Sequence, residues 1–332
     1  MSKRIIALTL AICAMFAIMP SYAQYNVIYT GKVTTYYDGY TNAYVAPDKN
    51  SKVLDSFKPG TPIQIVSVLP NFVGIVYGNS IAYMLRGRIE DVKPVNPATT
   101  PPYGVFFHRY YAAMWQDTPV KAAPNSNSET LITLHPGAMV GIIDVVDGWA
   151  YFTFKRQWGY IDTRYLAELG KVAPNVTLGD ANTPIAVYNS FYNISEEGLN
   201  PNRISNLKLG SSKMSKTLAP GQSLDFNGEV GPFTAGNGYL EAGALKDGGW
   251  GTATGGGSCQ ISSTLYNAVL QLTGLTVLVR SPHGPGGVSY IPHGVDATSG
   301  GLNFVFRNDY SFPIRISAHV QDGSLFVAIY KV

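Results

Sequence analysis

Cysteine is almost absent from this chain, with two in 332 residues, Cys13 and Cys259. Cys13 lies in the apolar N-terminal run, and if that run is removed Cys259 stands alone. A solitary cysteine excludes an intramolecular disulfide and leaves a free thiol with a task, an intermolecular bridge, or a small buried hydrophobe. Charge is also scarce: 14% of residues are charged, and the formal net charge is +3. No basic run is interleaved with aromatics, so nucleic acid is excluded as a partner. Beyond the first twenty residues no apolar stretch reaches membrane-spanning length, so no later integral membrane segment is expected. The HExxH spacing of a metal site is missing. The glycine-rich stretch from Gly248 to Gly257 lacks the Lys-Ser/Thr of a phosphate loop. No cofactor and no metal are expected.

What is present begins with a targeting pattern. Lys3 and Arg4 precede an apolar run from Ile5 to Met19, Pro20 breaks it, and Ser21-Tyr22-Ala23 offers small residues to a signal peptidase. The run is short for a membrane span, so residues 1–23 read as a cleaved signal, with an uncleaved anchor as the alternative. The protein is therefore expected to be exported and associated with the cell envelope, periplasmic or extracellular.

The first half carries an internal repeat. Ala46-Pro47 recurs as Ala123-Pro124, Leu54 as Leu131, Pro59-Gly60 as Pro136-Gly137, Phe72 as Trp149 and Tyr83 as Tyr160, at a constant offset of 77 residues. Each unit has short runs of alternating polarity after a Pro-Gly turn, such as Thr61 to Val68, which predict β-strands. Units of this size suggest small, partly open β-barrels. The Pro-Gly, the aromatic at Phe72 or Trp149, and Tyr83 or Tyr160 resemble the bacterial Src-homology-3-like module, which implies peptidoglycan as a binding partner. The expected division is a first barrel at 24–95, a linker at 96–105, a second barrel at 106–170, a linker at 171–184, and a third domain of α+β class at 185–332.

The third domain holds the segment Gly255-Gly256-Gly257-Ser258-Cys259-Gln260-Ile261. Glycines allow positive φ and close approach of another backbone, and Ser258 reads as the N-cap of a helix running to about Leu272. Ile261, Leu265, Ala268 and Leu272 share one stripe, the core face. Cys259 falls off it with Ser263, Tyr266 and Leu270, in the first turn, where the helix dipole favours thiolate. His283 and His293 follow as proton partners, and Asp296 could orient one of them. The competing readings are a packed, inert thiol, loop-bonded histidines, and Asp296 as a turn residue. Zinc held by Cys259, His283 and His293 is disfavoured, because no paired-ligand spacing accompanies them.

The stretch from Gly255 through Ala268 resembles the signature of the VanW family, named for an accessory protein of vancomycin-resistance clusters. Asn202-Arg203-Ile204, Phe226-Asn227, Val230-Gly231-Pro232, Arg280, His283, Tyr290 and Gly294-Val295-Asp296-Ala297-Thr298 follow the family order over roughly the last 140 residues. Ser258 stands where an aliphatic residue is usual, and His293 where the family more often has another residue, which makes His283 the better base. The resemblance implies a cell-envelope role without a settled reaction. Two readings follow. In the first, a thiol-dependent amide hydrolase or acyl-transferase acts on peptidoglycan or its precursor peptides. Cys259 is its nucleophile, His283 its base, Asp296 the orienting carboxylate, and backbone N–H groups near Cys259 and Gln260 hold the oxyanion. In the second, a non-catalytic wall-binding or scaffold protein uses Gly255, Gly256 and Gly257 to shape a groove. Tyr266 and Tyr290 would stack on the ligand and Arg203 or Arg280 would hold a carboxylate, with Asn227 in the same set. The oligomeric state is left open.

Overall fold

A computed structural model describes residues 25–246 and 249–332. The expected signal and Cys13 lie outside the described residues. The described chain is mostly β, with sheets arranged around separate hydrophobic clusters and few helices.

In the first unit, seven antiparallel strands form one sheet. Their order is 53–57, 41–44, 80–85, 72–77, 62–68, 29–33 and 89–94. The second unit repeats this order once the 77-residue offset is applied. There the counterpart of Pro62–Val68 is divided into Met139–Ile142 and Asp144–Val146, so that one sheet becomes two, of five and three strands. The break falls at Ile143, opposite Val66, where the first unit has a register shift between Ile65 and Ser67. The expected barrels do not close. Among the described residues no pairing joins the edge strands Val53–Phe57 and Ile89–Pro94, which carry Asp55, Glu90, Asp91, Lys93 and Pro94. Charges and proline on an edge strand discourage further pairing.

Neither connecting segment hangs free. Tyr29 donates its hydroxyl to the Pro101 carbonyl at 2.7 Å, and its ring meets Tyr103 edge-on at 5.5 Å. Gly170–Lys171 pairs with Tyr110 and Tyr111, and Val172 and Ala173 are buried.

The C-terminal unit has a four-stranded antiparallel sheet, ordered 184–191, 324–331, 314–321 and 217–218. A three-stranded sheet orders 223–225, 304–308 and 275–280, and a hairpin pairs 241–246 with 249–254. Three helices complete it: α1 (Asn200–Met214), α2 (Phe226–Val230) and α3 (Ser258–Val269). All eight residues of Pro184–Phe191 are buried. One face lies under α3, and the other faces the second unit, where Phe191 joins the cluster of Phe152 and Phe154. Two polar residues on this strand are tied to their neighbours: Asn189 Oδ1 accepts from the Gly141 N–H at 2.8 Å, though its Nδ2 is buried without a partner, and Ser190 Oγ meets Thr264 Oγ1 at 2.7 Å. From the second unit Arg156 also reaches across, donating to the carbonyls of Gly286 (2.6 Å) and Val288 (3.1 Å).

Candidate functional site

Helix α3 is amphipathic as its spacing requires: Ile261, Leu265 and Ala268 are fully buried, and Leu272 just beyond its end is nearly so. Its N-cap is Gly257 at φ 108°, not Ser258, which is the first helical residue and makes no capping bond. Gly255 is also left-handed, at φ 82°. Gly256 is required for a different reason, since a Cβ there would lie 2.5 Å from the Ala242 carbonyl oxygen. The glycines thus press the helix start against the 241–254 hairpin.

The opposite face of α3 is covered as well. Ser262 and Ser263 donate to the Ala297 carbonyl at 2.6 and 3.0 Å, and Ser263 Oγ accepts from the Ala297 N–H at 3.0 Å. Asn267 donates to the Val295 carbonyl at 2.7 Å. This polar ladder lays residues 295–299 along the helix and brings Asp296 and Ser299 to its first turn. Ser299 was not singled out in the sequence. Its N–H points at Cys259 Sγ from 3.4 Å and its hydroxyl lies 3.6 Å from the sulfur.

His283 stands at the other side of the thiol. A single carboxylate oxygen, Asp296 Oδ2, accepts from the His283 backbone N–H at 2.6 Å and meets Nδ1 at 2.7 Å. With Asp296 ionised, Nδ1 carries the proton and Nε2 is the free nitrogen. Burial raises the Cys259 thiol, but the His283 hydrogen bond and charge, with the bonds from Ser299, outweigh it and leave the thiol below its ordinary value. Burial lowers His283, but Asp296 and Cys259 together lift it to about 9. Burial likewise raises Asp296, and the His283 bonds and Arg280 bring it below the usual carboxylate value. Depressed thiol and elevated imidazole favour a thiolate–imidazolium pair.

The thiol and imidazole line a cleft of about 640 Å³ with Gly255, Gly256, Gly257, Gln260 and Tyr290. Arg203 and Arg156 line it too, and among the described residues no carboxylate does. Arg203 donates to the Gly243 carbonyl at 3.2 Å and to Gln260 Oε1 at 2.8 Å, and among the described residues it forms no ion pair. The Tyr290 hydroxyl is buried without a hydrogen-bond partner. The Gln260 N–H is committed to the Gly257 carbonyl at 2.9 Å, whereas the Cys259 N–H has no carbonyl partner. The oxyanion donor expected at Gln260 is therefore unavailable, and the N–H of Cys259 is the free one.

Five expected residues do not line the cleft: Asp296 sits behind His283, and four others are engaged elsewhere. Arg280 is spent on the Asp296 carbonyl (2.7 Å), the Gly294 carbonyl (2.9 Å) and Asp296 Oδ1 (3.4 Å), with its guanidinium over the Tyr266 ring. Tyr266 packs edge-on against Phe304. Asn227 holds the carbonyls of Gly300 and Leu302 and accepts from the Gly300 N–H, shaping the rim rather than facing it. His293 turns away: its Nε2 meets the Pro285 carbonyl at 2.6 Å, and burial lowers its pKa. No group of three or more His, Cys, Asp or Glu side chains able to hold a metal ion occurs among the described residues. No described helix is long and apolar enough to cross a membrane.

Comparison with known proteins bears on this unit. A Bacillus subtilis (strain 168) protein, YoaR, described as uncharacterized, is 36% identical over 147 residues, which is 43% of this chain and 46% of YoaR. The chain thus spans about half the length of that curated relative. Among solved structures, NlpC2 from Trichomonas vaginalis shares 13% identity over 56% of each chain, with a TM-score of 0.18. NlpC1 from the same organism shares 14% over 89% of this chain and 94% of its own, with a TM-score of 0.19. Both are too distant to inform fold or chemistry. What the comparisons identify is a domain similar to the family described as VanW like protein, matched over residues 202–330.

Proposed function

We propose that this is an exported, cell-wall-related enzyme in which Cys259 attacks an amide carbonyl of peptidoglycan or its precursor peptides. The observation that carries this reading is the meeting of thiol and imidazole at one cleft, with His283 fixed from behind by the Asp296 carboxylate at 2.7 Å. The VanW-like match supports the cell-wall setting. In the first step Sγ forms a bond to the carbonyl carbon, and the oxygen takes up negative charge beside the Cys259 N–H and the unpartnered Tyr290 hydroxyl. Collapse breaks the C–N bond, and His283 gives its proton to the departing amine, leaving a thioester. Water then releases the acid in a hydrolase, or a second amine takes the acyl group in a transferase. Arg203 and Arg156, with no acid lining the cleft among the described residues, suit a substrate carboxylate. The N-terminal units, whose repeat resembles Src-homology-3-like modules, serve as wall-binding elements in this reading.

The test is to incubate the protein with purified muropeptides and follow new amines or exchanged products by mass spectrometry. Turnover by the wild type that vanishes in Cys259→Ala is the expected result. No product from any wall amide, with an alkylation pH profile like that of a free thiol, would sink the proposal.

A further inference from the structure

The Cys259 cleft is not isolated. Arg156 and Ser289 on its rim also line a second depression of about 670 Å³ between the two N-terminal units, where Phe72, Lys49 and Lys155 are found. Trp158 and Tyr160 of that depression line a third, of about 510 Å³, together with Trp149, Tyr151, Pro124 and Asp147. Through these shared residues the three depressions are neighbours, in the order thiol cleft, Arg156, aromatic platform. Each has the volume of a small-molecule site.

The repeat supplies an internal control on why the platform is aromatic. Strands Trp149–Phe154 and Gln157–Asp162 are the counterparts of Phe72–Tyr77 and Ser80–Leu85. Where the second unit has Tyr151 and Trp158, the first has Gly74 and Ile81. The same pair of strands therefore forms without these rings. They are not enclosed either: Trp149, Tyr151, Trp158 and Tyr160 are all half-buried. Tyr151 and Trp158 hold one another edge-to-face at 5.6 Å and 89°, so the rings are fixed in place.

We infer that this platform binds a chain of β-linked pyranose sugars, oriented so that the strand leads toward the Cys259 cleft. A pyranose with equatorial substituents presents a flat face of C–H groups, whose partial positive charge meets the negative face of an aromatic ring. A sugar also needs hydrogen-bonding groups beside that face, and Asp147, Tyr151 and Tyr160 line the same depression as the tryptophans. Lys49, Lys155 and Arg156, against Asp48 alone, give the middle depression positive charge, which suits acidic substituents hanging from the chain. The inference rests on the reading of the N-terminal units as wall-binding elements, and it does not need the thiol to react.

The test titrates the full chain with a peptide-free β-1,4-linked N-acetylglucosamine hexamer, read by calorimetry and by ¹⁹F spectra of fluorotryptophan-labelled protein. The chain has four tryptophans, so each variant Trp→Phe assigns one line. Saturable binding that moves the Trp149 and Trp158 lines and leaves Trp115 unmoved is expected. Tyr151→Gly with Trp158→Ile, the residues of the first unit, should weaken binding at least tenfold, while Cys259→Ala should not change it. No saturable binding, or lines moving only for Trp115 and Trp250, would overturn the inference without the variants being needed. If the hexamer binds and no amide is ever cleaved, the glycan site stands and the proposed chemistry alone falls.

Discussion

Two aspartate–histidine pairs in this molecule have nearly the same geometry and very different surroundings. In one, Asp296 meets His283 Nδ1 at 2.7 Å, with side chains 2% and 6% exposed. In the other, Asp117 meets His135 Nδ1 at 2.8 Å, with side chains 69% and 40% exposed. Distance alone does not distinguish them. Burial does, together with what lies at the other ring nitrogen: His283 is also tied to Cys259, and Arg280 backs its carboxylate. An exposed pair is screened by water and salt and contributes little. A buried pair concentrates its field on the one group it faces.

The widest separation is expected in rate. On the amide-cleaving reading, Asp296→Asn should lower turnover about a thousandfold or more, as loss of the orienting carboxylate does in related triads. Asp117→Asn should leave it unchanged. Equal effects in a muropeptide assay would break the comparison. Next comes stability. Asp296→Ala removes one member of a buried network, which costs about 3–5 kcal/mol, while Asp117→Ala should fall within about 0.5 kcal/mol. Urea denaturation of both, side by side, measures this. The smallest effect is in pH. Cys259 titrates below an ordinary thiol because His283 and Ser299 outweigh burial, so wild-type alkylation by iodoacetamide should reach its plateau at lower pH than a free thiol does. In His283→Ala the opposing partner is gone, burial acts less opposed, and the midpoint should move up. A midpoint that stays still would show that His283 does not govern the thiol.

Much of this was legible in the sequence, for reasons that are local. The stripe of Ile261, Leu265, Ala268 and Leu272 follows from helical spacing, and the repeat offset foretold the shared strand order of the two N-terminal units. The placement of Asp296 beside His283 was foreseen as a role but not as a geometry. It depends on Ser262, Ser263 and Asn267 fastening residues 295–299 along the helix, a contact between segments some thirty residues apart. Ser299 was missed for the same reason. A polar line at 259, 262, 263 and 267 on the supposedly free face was the available signal. Arg280 was misjudged because a sequence shows a cation but not the carbonyls that consume it. Of the partly open barrels expected, the strands were legible but the degree of closure was not, since alternation predicts strands and not whether the last one meets the first.

The buried strand Pro184–Phe191 has a consequence for how such a chain can be inherited. A gene exchange that cut at residues 171–184 would look clean on a map of units. It would nonetheless part Phe191 from Phe152 and Phe154, the Asn189 side chain from Gly141, and Arg156 from the carbonyls it holds at Gly286 and Val288. The second unit and the C-terminal unit are therefore a single heritable piece.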